Sequence, residues 1–363
     1  MRRIGIVFGM LALVGTLRAT DTRVWTLTQG SVGFLPDDEV NVQFFPAQMF
    51  EFGSFVTIER PIVPGGSIIG IYGYASAFYV SDQFGLGLYL GRPFDLNMNI
   101  ANISVAPVNM VFGVKSGSNA FALNLALNKY GFTSYDTNYK ESATVFSFRP
   151  GFALDLGGGA LDGSFHITYA NGAVGDTSGS SFMEKLSEFS LGVTFRYRGP
   201  VIVPFELAYS RSSDTLLANP KSKNSTIFVG TGVGNKVALN DRISIVAYGD
   251  VGFINFSSSD TTGNKSLYLG TVIGGEFNVW RGLILRGSLG YNILNFNSFN
   301  DNFRSSYFSF GDFGFFTLGA GYDLGFARVD VALSTDLLTN GPYFLTGNTG
   351  SSIITMLSIL GKF

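Results

Sequence analysis

The chain has 363 residues, 46% of them hydrophobic and only 14% charged, whereas an average protein carries about 25% charged residues. It has no cysteine and one histidine, which excludes a disulfide framework, a thiolate metal site, a cysteine nucleophile and a multi-histidine zinc site. Lys+Arg 24 against Asp+Glu 26 leaves a net charge of −2, so nothing electrostatic favours nucleic acid. Such a chain is short of the charge that coats a soluble surface. Yet past residue 20 it has no uninterrupted apolar run of the ~18 residues that a membrane helix needs. Hydrophobicity diluted by alternation is the mark of a membrane β-barrel, and 47 glycines and 36 phenylalanines fit strands that bend and aromatic girdles.

Residues 1–19 read as a signal peptide. Arg2 and Arg3 precede an apolar stretch, Ile4–Leu17, and Ala19 stands before the expected cut. Residues 20–50 lack strand rhythm. Pro36, Pro46 and the acidic step Asp37-Asp38-Glu39 break any regular strand. The segment is either a periplasmic lead-in or a hatch tucked into the lumen.

From residue 51 to 363 the rhythm is continuous. Period-two alternation predicts sixteen strands, roughly 51–60, 67–79, 83–91, 107–115, 118–130, 143–156, 160–170, 187–198, 201–211, 225–237, 242–256, 265–279, 282–295, 309–323, 325–336 and 351–363. The first four are the least regular, so fourteen wall strands is the alternative count. The clearest pair lies on either side of Trp280–Gly282, read as a three-residue hairpin connection. Before it, Leu267, Leu269, Ile273, Phe277 and Val279 share one face. After it, Leu283, Leu285, Leu289 and Ile293 do. Short connections alternate with long ones rich in Asn, Ser, Asp, Gly and Thr, as periplasmic turns alternate with extracellular loops. The fold class is therefore all-β: a transmembrane antiparallel up-and-down barrel of 14 to 16 strands in a Gram-negative-type outer membrane.

The last strand ends on Phe363, which resembles the C-terminal signal read by the barrel assembly machinery, with Gly361 where a bulky residue is usual. The order of parts resembles the long-chain fatty-acid transporter family of outer-membrane barrels. Its members carry an Asp-rich step followed by Asn-Pro-Ala before the first strand. Asp37-Asp38 and Phe45-Pro46-Ala47 occupy those places, with Phe45 where the family has Asn. The resemblance implies a hatch-like N-terminus and passage of an apolar molecule.

Most ionisable residues within strands fall on the face opposite the aliphatic one: Arg149, Asp162, His166, Glu188, Arg196, Arg198, Glu206, Arg242, Asp250, Glu276, Arg286, Arg328, Asp330 and Asp336. On the lipid face an Arg or Lys near the midplane costs about 2–4 kcal/mol, enough to enforce this segregation. Wall-bracing ion pairs are their expected role. If 35–49 enters the barrel, Asp37, Asp38 or Glu39 should meet lumen arginines, because unpartnered buried carboxylates are costly.

Ser164, His166 and Asp162 suggest a hydrolase. Same-face neighbours in one strand stand roughly 6–7 Å apart, however, and a polar lumen lining accounts for all three. The aromatics of 295–310 form either an interfacial girdle or a landing patch for an apolar ligand. The expected function is passive passage of small solutes through an outer-membrane channel, without enzymatic activity, cofactor or metal. Membrane lipid and a small solute or apolar ligand are the expected partners, and monomer against trimer stays open. The alternatives are transporter-like uptake of apolar molecules with lateral release, or a structural or adhesive protein acting through its loops.

Overall fold

The computed structural model describes Leu27 and residues 38–61, 74–90, 108–134, 139–176, 183–215, 222–259, 263–300, 305–333 and 354–363. The expected signal peptide, Asp37, Phe303 and Asp336 lie outside the described residues. Among those described, sixteen strands form one closed antiparallel barrel: β1 (Phe55–Pro61), β2 (Tyr74–Val80), β3 (Phe84–Leu90), β4 (Val108–Ser116), β5 (Asn119–Ser134), β6 (Tyr139–Asp155), β7 (Ala160–Asp176), β8 (Met183–Arg198), β9 (Ile202–Thr215), β10 (Ser222–Asn240), β11 (Ile243–Ser258), β12 (Gly263–Trp280), β13 (Leu283–Asn300), β14 (Ser305–Asp323), β15 (Ala327–Leu333) and β16 (Ile354–Lys362). Each strand pairs with the next in sequence, and β1 pairs with β16 to close the wall. The count is sixteen rather than fourteen, because the four irregular N-terminal strands all belong to the wall.

Alternation fixes the facing. Leu285 and Leu289 on β13 stand outward at 45% and 48% exposure, while Arg286 and Ser288 between them are buried inside. A continuous apolar exterior with charge turned inward is what a bilayer requires of a barrel. At the short-turn end Tyr79, Phe84, Phe121, Trp280, Tyr322 and Phe326 are exposed. They form an aromatic girdle where headgroups would meet the wall.

Strands β5 to β14 run 14 to 19 residues, well past the roughly 9–11 that cross a bilayer. Among the described residues, strand runs into both ends of the expected long loops 131–142, 171–186, 212–224, 257–264 and 296–308. The barrel continues beyond the membrane, where no lipid enforces alternation, so the periodic signal fades before the strand does. The aromatic loop 295–310 is a case in point: Phe296 and Phe299 belong to β13, and Tyr307, Phe308 and Phe310 to β14. The expected three-residue connection is a two-residue turn, Arg281-Gly282, with φ of 21° and 91°. Two positive φ values in succession suit the right-handed twist of a tight hairpin.

Residues 38–52 leave the wall and fill the lumen. Helix α1 (Asn41–Phe44), a 3-10 turn (Pro46–Gln48) and helix α2 (Met49–Phe52) follow one another, and Gly53 at φ 72° turns the chain into β1. The predicted strand start at 51 is therefore a helix end: the chain must still cross the lumen before it can pair. Val42, Ala47, Met49 and Phe52 pack against Phe55, Phe78, Tyr89, Val111 and Leu360 on the inner wall. Phe55 stacks on Phe78 with ring centroids 4.6 Å apart, and Phe78 meets Tyr89 edge-on at 5.0 Å. A second cluster joins Leu27, Val40 and Phe44 to Ile202, Val246, Tyr248 and Val272. The segment is a plug, seated on apolar residues at both flanks.

Candidate functional site

The plug is clamped to the polar wall by three arginines from neighbouring strands. Arg149 on β6 donates from Nη1 to the carbonyl of Gln43 at 2.8 Å, and its guanidinium lies over the Phe44 ring. Arg196 on β8 donates from Nη1 to Asn41 Oδ1 at 2.9 Å, and its guanidinium stands 4.4 Å from the centre of the Phe45 ring. Arg198, two residues on, pairs with Glu51. Asp162 on β7 ties these contacts together. It is fully buried and accepts from Arg196 Nη2 at 2.9 Å, from Arg198 Nη2 at 2.9 Å and from Gln48 Nε2 at 2.8 Å. One carboxylate thus serves two wall arginines and one plug amide. Buried pairs of this kind survive only with such full hydrogen bonding.

Asp38 and Glu39 are buried, and Asp38 Oδ1 accepts from the Val40 N–H at 3.2 Å, capping the turn into α1. Asn41, Gln43, Phe44, Phe45 and Glu51 of the plug contact the wall arginines. Phe45, Pro46 and Ala47 sit at the centre of the plug, and Phe45 offers Arg196 a ring face. An aromatic in this place is therefore a functional part of the clamp.

Seven strands round the wall a second network spans β12 to β15. Arg286 Nε meets Glu276 Oε2 at 2.7 Å, Arg286 Nη1 meets Asp330 Oδ1 at 2.7 Å, and Arg328 Nε meets Asp330 Oδ1 at 3.0 Å. Between them β14 presents Gly321, where a Cβ would collide with Asp330 and Arg286. This ladder braces the wall.

A cavity of about 160 Å³ lies between the plug and strands β6 to β10. The register makes its shape plain. His166 pairs with Gly192, Gly192 with Ala208, and Ala208 with Phe228. Arg149 stands beside His166. Two small residues therefore make a floor between an Arg–His edge and a phenylalanine edge, and Phe44 of the plug covers it. The next inward row toward the long loops is Ser190, Ser210 and Thr226. Glu188 follows beyond it, and Glu206 with Thr194 lies on the plug side.

Of the predicted lumen residues, Arg149, His166 and Glu206 meet at this chamber, Arg196 clamps the plug, and Glu276, Arg286, Arg328 and Asp330 form the ladder. Asp250 lies half-buried on β11. Arg242 is a correction: it is exposed in the two-residue turn between β10 and β11. Alternation extrapolated one residue too far assigned it to a strand. Ser164 and His166 both face inward, but neither Ser164 Oγ nor His166 Nδ1 has a hydrogen-bond partner, and Asp162 is engaged elsewhere. They form no nucleophile–base pair. The apolar inner arc of Phe55, Phe78, Tyr89 and Leu360 escaped the sequence reading, because large apolar residues stand on both faces of β1 to β3 and the polar Thr57, Glu59 and Ser76 on the inside give little contrast.

No known family profile matches the chain, and no curated protein matches it. Among solved structures it resembles a Pseudomonas aeruginosa FadL homologue, at 11% identity over 97% of this chain and 99% of that one, with a TM-score of 0.42. It also resembles the toluene transporter TbuX of Ralstonia pickettii, at 12% identity over 96% and 100% with a TM-score of 0.40. CdiB from Escherichia coli is 9% identical, with a TM-score of 0.41. The match covers 85% of this chain and 62% of CdiB, so the chain spans less than two thirds of that protein. At these identities the likeness is one of barrel architecture.

Proposed function

We propose that the chain is an outer-membrane channel for passive passage of small solutes, closed at its short-turn end by the plug. The observation that supports this is the clamp. The plug is held to the polar wall by a few charge-assisted bonds centred on Asp162, and such bonds can be exchanged for water when the plug moves. A wet, two-signed lumen above it would give no strong preference for anions or cations. Planar-bilayer conductance of the full chain against a variant lacking residues 33–48 tests the reading. The full chain should show rare, small ion steps and the deletion stable, larger ones. An assembled deletion variant with unchanged conductance would count against a gating plug.

A second reading, uptake of an apolar molecule with release into the membrane, is favoured by one feature. On the lipid side of β3 to β5 a hollow of about 470 Å³ is lined by Phe84, Leu86, Phe112, Val114, Phe121 and Leu123. The wall there is thin. Gly85 and Gly113 leave room for Met49 and Phe50 of the plug on the inner side. In that case protein-bearing vesicles should accumulate a fluorescent apolar probe without ion steps, and uptake equal to protein-free vesicles would remove this reading.

A further inference from the structure

We propose that the chamber beside the plug is a binding site for a small organic cation, an amine on an apolar body of about one ring. Glu188 carries the inference. It lines the chamber at 7% exposure and makes no hydrogen bond or ion pair with any described residue. His166, at 8% exposure, lines the same chamber with Nδ1 unpartnered. A carboxylate this far from bulk water is costly without a counter-charge, so a cationic group brought to Glu188 gains more there than at an exposed carboxylate. Two nearly buried polar side chains, a carboxylate and an imidazole, face this one cavity.

Size and charge narrow the occupant. A cavity of about 160 Å³ compares with the roughly 150 Å³ that accepts benzene in an apolar protein interior. Phe44 and Phe228 offer ring faces to an apolar body or to a cation. The His166 ring lies over Gly192, so the open part of the floor is at Ala208. Arg149 also reaches this chamber, but its Nη1 is bonded to Gln43 and its guanidinium covers Phe44. Glu188 lies four residues along the strand from the row of Arg149, roughly 13 Å, several times the ~3 Å of an amine–carboxylate contact. An amine at Glu188 therefore meets more attraction from the carboxylate than repulsion from the arginine. A carboxylate placed there would meet only like charge. A neutral polyol would satisfy the hydroxyl row of Ser190, Ser210 and Thr226 yet leave the Glu188 charge uncompensated.

The site does not depend on whether solutes cross the barrel, so its test is binding. Benzylamine, benzyl alcohol and benzoate are titrated calorimetrically into the folded full-length barrel in detergent. Benzylamine should bind at a single site at least tenfold more tightly than the other two. Glu188→Gln should weaken it tenfold or more while the barrel's heat-modifiable mobility on electrophoresis stays unchanged. Ala208→Leu, which fills the floor without altering charge, should also abolish binding and serves as the readout should Glu188→Gln fail to fold. Absence of benzylamine binding, equal binding of benzyl alcohol, or wild-type affinity in folded Glu188→Gln would each overturn the proposal. Intact benzylamine binding by a barrel that never conducts would overturn the channel reading and leave this site standing.

Discussion

Asp162 shows what a single side chain does in this barrel. Alternation on β7 turns it inward, and burial alone would make a charge there expensive. Arg196, Arg198 and Gln48 repay that cost by filling its lone pairs. Removing one partner of a buried pair costs about 3–5 kcal/mol, because the other charge is left stranded. Asp162→Asn should therefore take the shared counter-charge from Arg196 and Arg198, though Arg198 keeps Glu51, and loosen the plug more than the wall, whose ladder hydrogen bonds are untouched. Hydrogen exchange of amides 41–48 should accelerate at least tenfold, while amides of β6 to β8 keep their protection. Equal acceleration in both regions would show that Asp162 holds the wall rather than the plug. The inward facing of Asp162 could be read from sequence. Its partners could not, since Arg196 and Arg198 meet it through the β7–β8 register and Gln48 through the plug's path, neither of which a linear pattern encodes.

At the scale of elements, what was legible is what lipid enforces. Within the bilayer each strand must set an aliphatic face against lipid, so the alternation around Leu285 and Leu289 gave the facing, and the same rhythm along the chain left the strand count between fourteen and sixteen. Above the bilayer that pressure vanishes, and the strand ends at Ser134, Asp176 and Asn300 lie well beyond the last periodic residue. In β1 to β3 the pattern weakened for the opposite reason: Phe55, Phe78 and Tyr89 on the inner face join the plug's apolar cluster and mix there with the polar Thr57, Glu59 and Ser76. β14 adds a subtler requirement. Gly321 on this strand keeps open the space through which Arg286 on β13 reaches Asp330 on β15. Gly321→Val should break the ladder and lower the unfolding temperature, read by heat-modifiable electrophoresis, by roughly the several degrees that a loss of a few kcal/mol produces. Ala320→Val, one residue away and facing outward, should change little. A neutral Gly321→Val would mean that the ladder rearranges freely around the new side chain.

Across the whole molecule the lumen has two kinds of wall, and the plug bridges them. Its Val42, Met49 and Phe52 seat on the apolar arc from β16 through β1 to β5, and its Asn41, Gln48 and Glu51 engage the polar arc of β6 to β8. A plug that matches both arcs has one seating, at the short-turn end, with the chamber on the side of the long loops. The barrel should then be accessible from one end and closed from the other. Ser210 and Thr226 pair across β9 and β10 on the inner face, while Leu207 and Ile227 face outward at 42% and 40% exposure. Each is replaced by cysteine in barrels oriented in vesicles and treated with a membrane-impermeant thiol reagent. From the long-loop side 210 and 226 should label, and 207 and 227 should not. From the short-turn side 210 and 226 should stay unlabelled until residues 33–48 are deleted, and then label. Labelling of 207 and 227 as readily as of 210 and 226 would mean the facing is wrong. Labelling of 210 and 226 from both sides with the plug present would mean that the lumen is open past it, and that the Asp162 clamp closes nothing.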